Sequence, residues 1–196
     1  KATRKNLRRK FRTAEAAGAP IELQVIEDVT PHIDEVYPLY LNVYQRSTLH
    51  FEKLTKRYLC DLGRRMPDKV RFFIWRQNAR AIAFSVCMLA GGSIYDEYLG
   101  LDYTVALDLH LYFYTFRDIV SWAMAGGFKW YLSSAQNYDP KLHFRCELVP
   151  LDLYVAHTNP VLNAVLRRVI PWIEPTRGDE TLKKFPNYAD LWGRDE

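Results

Sequence analysis

The chain has 196 residues, 48% of them hydrophobic, with 27 basic and 23 acidic side chains for a formal net charge of +4. That length fits one domain or two small ones, and the apolar fraction is enough for a core, which excludes a disordered segment. No apolar run reaches membrane-spanning length and no secretory leader opens the sequence. Cys60, Cys87 and Cys146 stand far apart without a C-x-x-C pair, so the expected setting is a reducing, cytoplasmic one.

The first element is basic. Residues 1–12, KATRKNLRRKFR, hold seven basic groups and no acid, which leaves the remainder mildly acidic. A protein evenly basic for nucleic acid has a different distribution. The composition predicts a helical arm over residues 1–18, closed by Gly18, with Leu7 and Phe11 as a narrow apolar stripe. Two readings stand for it: a solvated or docked helix, or a contact for the phosphates of tRNA or of an anionic headgroup. A chain that opens on Lys1 is expected to be a piece of a longer one.

Residues 21–29, IELQVIEDV, predict a strand. Thr30-Pro31 then predicts a helix start, with Thr30 as the cap. A second helix is expected after Thr55. Three strands follow: 71–76, 80–90 and 93–101, with turns at Gln77-Asn78-Ala79 and at Gly91-Gly92. A helix is expected from Ala106 or Asp108 to Gly126-Gly127. Its buried stripe would be Leu109, Tyr112, Phe113, Phe116, Val120 and Ala123, with Arg117, Asp118 and Ser121 outward. A strand over 129–134 completes a strand–helix–strand crossover, which predicts two parallel strands. Asp139-Pro140 predicts a capped short helix, Glu147–Val155 a last strand interrupted by Pro150, and Asn159-Pro160 a final helix. That helix would bury Val161, Val165, Leu166, Val169 and Ile173. Residues 174–196 read as a tail packed back through Phe185, Leu191 and Trp192. The expected organisation is an arm over 1–18, a domain over 19–173 and this tail. The fold class is α/β (α+β): a mixed sheet with an antiparallel meander and one parallel crossover.

Two acids lie in the strand before the crossover helix. Asp96 and Glu97 are adjacent, so strand alternation sends them to opposite faces and at most one lines a given cleft. A carboxylate in mid-strand is costly to bury unless paired. It serves either as a general base or amine anchor, or as half of an ion pair with Arg80, Arg117 or another base. Tyr138, Lys141 and Glu147 follow the carboxyl end of the second parallel strand, where open sheets hold ligands; a capped surface loop is the plainer reading. His110 and His143 are candidate proton carriers by residue type. His143-x-x-Cys146 supplies two potential metal ligands, too few for a site, and no metal is assigned.

The order of elements resembles the GNAT N-acyltransferase fold. KNLRRKFRTAEAAG before IELQVIED, then YDEYLGLDY, WAMAGG ending the helix, and YDPKLHFRCELVPLDLYV are similar to the FemAB-like branch, the peptidoglycan biosynthesis and recognition proteins. The resemblance implies direct transfer of an acyl or aminoacyl group to an amine, with a cell-envelope precursor as the expected acceptor. It implies acyl-CoA or aminoacyl-tRNA as donor, no metal, and a second GNAT-like domain upstream. Taken with the reading of the residues above, Glu97, Asp96 and Tyr138 are the catalytic candidates, and Lys141, His143, Glu147 and His110 the substrate-binding ones; the resemblance itself bears on Tyr138 and Lys141. Glu97 is preferred as base, for its reach and for Lys141 to hold it ionised. The family's Gly-rich phosphate turn is replaced by Asp102-Tyr103-Thr104-Val105-Ala106-Leu107-Asp108, which predicts weak conventional CoA binding. A non-catalytic GNAT-like module of a two-domain protein, and an RNA or membrane-surface adaptor, are the alternatives.

Overall fold

Five strands form one sheet in chain order: β1 (Glu22–Ile26), β2 (Val70–Gln77), β3 (Arg80–Ala90), β4 (Ser93–Leu101) and β5 (Trp130–Ser133). The structure, a computed structural model, describes residues 2–47, 52–134, 137–151, 154–173 and 175–192. It divides into two compact units, Lys1–Ser134 and Ala135–Glu196. The whole sheet lies in the first.

The first three pairings are antiparallel and the last is parallel, with Ser93 opposite Trp130 and Asp96 opposite Ser133. The meander is closed by two two-residue turns. Gly91 and Gly92 have φ of 56° and 76°, and Asn78 and Ala79 have φ of 51° and 61°. Left-handed residues at both central positions match the twist of the flanking strands. Ala79 adopts this conformation although its Cβ disfavours it.

Alternation along β2 sorts the two cores. Phe73 and Trp75 pack with α1 (Ala2–Ala16) and α4 (Leu111–Ala125) on one face; Phe72 and Ile74 pack with α2 (Ile33–Arg46) and α3 (Lys56–Arg65) on the other. Thr55 caps α3 as expected, accepting from Tyr58 N–H at 3.1 Å. Thr30 does not cap α2. The Asp28 carboxylate accepts from the Thr30 N–H at 2.9 Å and from its hydroxyl at 2.5 Å, and Thr30–His32 becomes a 3-10 turn ahead of the helix. The local Asx turn competes successfully with the cap.

The crossover helix starts later than its sequence suggests. Residues 103–110 form turns, and His110, at φ 49°, breaks them from α4. The buried face also differs: Leu111, Tyr114, Thr115, Ile119 and Ala123 point to the core. Both faces of α4 are apolar because α1 covers the second one, with Phe11 and Ala14 against it. Asp118 is drawn inward by Trp75, whose indole N–H donates to it at 2.8 Å.

The second unit holds α5 (Tyr138–Phe144), α6 (Pro160–Ile173) and α7 (Tyr188–Trp192). Asp139 is not a cap; it lies in the first turn of α5, after Asn137 at φ 48°. The strand expected over Glu147–Val155 is not present among its described residues, and residues 152 and 153 lie outside them. The reason is local: the backbone of Leu148 is satisfied by the Asn187 side chain, at 3.0 Å and 2.8 Å, and Pro150 has no N–H to give a ladder. Asn159 caps α6 as expected, accepting from Val161 N–H at 2.9 Å. The α6 stripe is not buried: Val161, Val165 and Val169 are exposed, and Leu166 is half-buried. Among the described residues of this unit the buried apolar side chains are Leu182 and Phe185, which anchor the segment read as a tail. Leu191 is half-buried, and the side chains of Ile173 and Trp192 lie outside the described set.

Candidate active site

β4 and β5 run together only through Asp96 and Ser133, and the last link is Ser134 N–H to Asp96 C=O at 3.0 Å. Beyond it β4 continues through Glu97–Leu101 with β3 on one side and, among the described residues, no strand on the other. Parallel strands that part in this way expose backbone hydrogen-bonding groups at their carboxyl ends, where open sheets bind ligands.

A bulge lies at the parting. Cys87 faces Asp96 and Val86 faces Tyr98, so Glu97 is the extra residue of β4. A bulge adds one residue without a partner and re-aims the chain around it. The strict alternation expected of Asp96 and Glu97 therefore fails here. Glu97 is half-buried, and burial pushes its carboxyl above the usual range, with the charges of Asp96 and Glu52 adding to the rise. The rise is opposite in direction to the lowering that a lysine beside it would cause.

Asp96 is a hydrogen-bonded node. Its carboxylate accepts from Ser85 Oγ at 2.6 Å and from the Tyr131 hydroxyl at 2.6 Å, with Cys87 Sγ at 3.7 Å. These donors offset the cost of burying the acid. Burial raises the Tyr131 phenol and the Cys87 thiol, and the Asp96 charge raises both further. The two expected arginines are engaged elsewhere: Arg80 with Asp102 at 2.5 Å, and Arg117 with Asp118 at 2.9 Å and Glu15 at 2.8 Å. Ser85 and Tyr131 escaped the sequence reading. A lone serine inside the apolar run RAIAFSVCMLA, one hairpin turn from a mid-strand acid, was the available signal.

Behind Leu101 a cleft of about 290 Å³ is lined by Asn42, Gln45, Arg46, Asp102, Tyr103 and Thr104. The Arg46 guanidinium stacks 3.8 Å above the Tyr103 ring, and Asn42 Nδ2 donates to Leu101 C=O at 3.0 Å. His110 lies outside the Asp96 node. It stands at the position before α4 without a side-chain capping bond, and its imidazole is held below its usual value by burial and then by Lys10 and Arg9.

The remaining candidates belong to the second unit. Lys141 is buried at 7% exposure, its ammonium 5.5 Å from the Tyr138 ring centre. Tyr138 also meets Phe185 edge to face. His143 Nδ1 lies 3.0 Å from Asp139 C=O, and Glu147 is exposed. Burial raises the Cys146 thiol while Lys141 opposes the rise. Among the described residues no group of His, Cys, Asp and Glu is placed to hold a metal ion, and no helix is long and apolar enough to cross a membrane.

Comparison with known proteins follows the same lines. No curated protein matches the chain by sequence. An aminoglycoside acetyltransferase from an uncultured soil metagenomic sample, solved with sisomicin, is 14% identical with a TM-score of 0.51, covering 70% of this chain and 97% of its own. The ribosomal-protein-alanine N-acetyltransferase of Brucella melitensis biovar Abortus is 10% identical with a TM-score of 0.46, covering 70% of this chain and 98% of its own. An aminoglycoside N-acetyltransferase in complex with CoA is 11% identical with a TM-score of 0.46, covering 73% and 97%. The first of these supports the fold. Residues 1–141 match the family described as acetyltransferase (GNAT) domain, well over half of the sequence, and the chain belongs to that family.

Proposed function

We propose that this protein is an N-acyltransferase that moves an acyl group, acetyl in the simplest case, from an acyl-CoA thioester to a primary amine. The observation that carries the reading is the parting of β4 and β5 after Asp96 with the Glu97 bulge at that point. The amine nitrogen attacks the thioester carbonyl; the C–N bond forms as the C–S bond breaks. The open edge of β4 offers backbone donors for the oxygen that gains charge. Glu97 takes the proton that the amine loses. A carboxyl raised by burial is better matched to that task near neutral pH than an ordinary one. The departing thiolate takes a proton from water; family resemblance, and no placement in the structure, proposes Tyr138 as an alternative acid and Lys141, His143, Glu147 and His110 for substrate binding. The acceptor we favour is an amine of a cell-envelope precursor, by resemblance to the FemAB-like branch.

The test is steady-state transfer from acetyl-CoA to a panel of primary amines that includes peptidoglycan precursor peptides. Glu97→Gln is expected to lower turnover by about a hundredfold or more with the fold retained. An unchanged rate removes Glu97 from the chemistry. A second reading, a non-catalytic GNAT-like module, is favoured by one observation: the turn after β4 has no glycine and bonds its own N–H groups. It predicts no turnover with any amine.

A further inference from the structure

The turn from β4 into α4 leaves few donors for an anion. Thr104 N–H goes to Asp102 Oδ1 at 3.0 Å, and Val105 and Ala106 N–H go to Asp102 C=O at 3.2 Å and 2.9 Å. Leu109 N–H goes to Val105 C=O at 3.0 Å, and His110 N–H to Leu107 C=O at 3.2 Å. The Asp102 carboxylate is buried within the turn, and Asp108 adds an exposed negative charge. Donors already engaged and acids already present oppose a phosphate there.

The charge beside this turn is of the other sign. α1 lies along α4 and brings Arg9 and Lys10 to His110. Lys10 Nζ sits 3.3 Å above the Phe113 ring, a fixed position rather than a free one. Burial and Arg9 depress the Lys10 ammonium, while Lys10 and Arg9 together depress the His110 imidazole, against a weaker opposing effect of Asp108. Among the described residues no carboxylate pairs with Arg4, Lys5, Arg8, Arg9, Lys10 or Arg12; the acid of α1, Glu15, is held by Arg117. Arg9 donates to Asn6 Oδ1 at 3.2 Å. Two cations of α1 thus lie beside His110 at the start of α4, offset among the described residues only weakly by Asp108, which is the electrostatic form of an anion site.

We propose that Arg9 and Lys10 of α1, with His110, bind the phosphates at the nucleotide end of the acyl donor in place of the β4–α4 turn. The proposal rests on the acyl-CoA reading above. It moves donor recognition from backbone N–H groups to side-chain cations on a helix that the family match includes.

The experiment compares acetyl-CoA with acetyl-pantetheine, which carries the same thioester and no nucleotide phosphates. Binding is followed by calorimetry and transfer by release of thiol, for the wild type, Arg9→Gln, Arg9→Gln/Lys10→Gln and Arg57→Gln, each checked by melting. The double variant is expected to lose acetyl-CoA affinity by about tenfold or more, and by several times more than it loses acetyl-pantetheine. Arg9→Gln keeps the Lys10–Phe113 contact, so a loss there separates charge from helix docking. Arg57→Gln, an exposed cation on α3, is the control and is expected to bind as the wild type does. Equal affinity of wild type and double variant for acetyl-CoA overturns the proposal while leaving acyl transfer intact. Phosphate-dependent CoA binding through Arg9 and Lys10 without any transfer overturns the enzymatic reading and leaves the phosphate site standing.

Discussion

The Tyr131 hydroxyl donates to the Asp96 carboxylate at 2.6 Å, and so ties β5 to β4 at the last pair before the strands part. The same carboxylate accepts from Ser85 of β3 at 2.6 Å, so one acid links three adjacent strands. The opening at Glu97 is therefore held by a side-chain bond as well as by the end of the ladder. Removing a partner from a buried acid costs more than the bond itself is worth, because the acid keeps its desolvation cost. Tyr131→Phe is expected to lower stability by about 1–3 kcal/mol, read by urea denaturation. A variant as stable as the wild type would show that the bond contributes nothing net.

Glu97 gives a pH signature. Below the ordinary carboxylate range, folded and unfolded chains both hold its proton. Between that range and the raised folded value, the folded chain holds a proton that the unfolded chain has lost. Stability from this group therefore falls as pH rises through that window and stays lower above it. Glu97→Gln lacks the effect, so its melting temperature relative to the wild type is expected to rise as pH increases from the ordinary carboxylate range. A difference that is flat or falls with pH would contradict the direction of the shift.

Asp108 sets a test for the donor. It is an exposed acid in the turn that precedes α4, close to the cations of α1 that act on His110. Asp108→Asn removes a charge that repels phosphate, and is expected to tighten acetyl-CoA binding by roughly twofold to fivefold at low salt. The gain is expected to shrink at high salt, since surface charges are screened. Calorimetry at two salt concentrations checks both.

Gly100 tests the contact between β4 and α2. A Cβ at this position would lie 2.6 Å from Tyr40 N and 2.7 Å from Leu39 C, both backbone atoms of α2. Neither is the end of a flexible side chain, so the helix itself has to move. Gly100→Ala is expected to destabilise the protein by about 1–3 kcal/mol or more. Gly178→Ala, where nothing lies within 4 Å of the added carbon, is the matched control.

Glu35 tests the far end of the β2–β3 hairpin. Its carboxylate takes both terminal nitrogens of Arg76, at 2.8 Å for Nη2, and accepts from Ala81 N–H at 2.9 Å. The Arg76 bond is the main cause that holds its carboxyl below the usual range. Stability from this group is present above the ordinary carboxylate range and is lost as pH falls through the lowered folded value. Glu35→Gln is expected to melt lower than the wild type at neutral pH, with the gap closing in acid.

The apolar runs of RFFIWR and RAIAFSVCMLA, with punctuation at Asn78-Ala79 and Gly91-Gly92, made the meander legible from composition alone. Strand period and turn chemistry are local properties, and both held. The crossover was legible for the same reason, since a helix of this length between two short strands allows one handed, parallel arrangement. Asp96 and Glu97 could be singled out as acids in an apolar strand, and both are found at the parting of β4 and β5.

What the sequence could not settle were matters of neighbours. Glu97 is a bulge residue only because β3 pairs with one residue fewer at Cys87, and no property of β4 alone reveals that count. The buried face of α4 was misread because the helix is apolar on two sides, and the tertiary fold alone says that α1 takes the second. Asn187 reaches Leu148 across a gap of many residues and removes a strand that the run ELVPLDLYV suggests. Sequence by itself determined the strands of the sheet, their order and the GNAT family, because those follow from periodicity, turn residues and matched motifs. Tertiary structure alone decided which donors surround Asp96, that Glu97 is half-buried, and that Arg9 and Lys10 meet His110. Burial and charge shift a group through what stands beside it in space, and that is fixed only when distant segments pack.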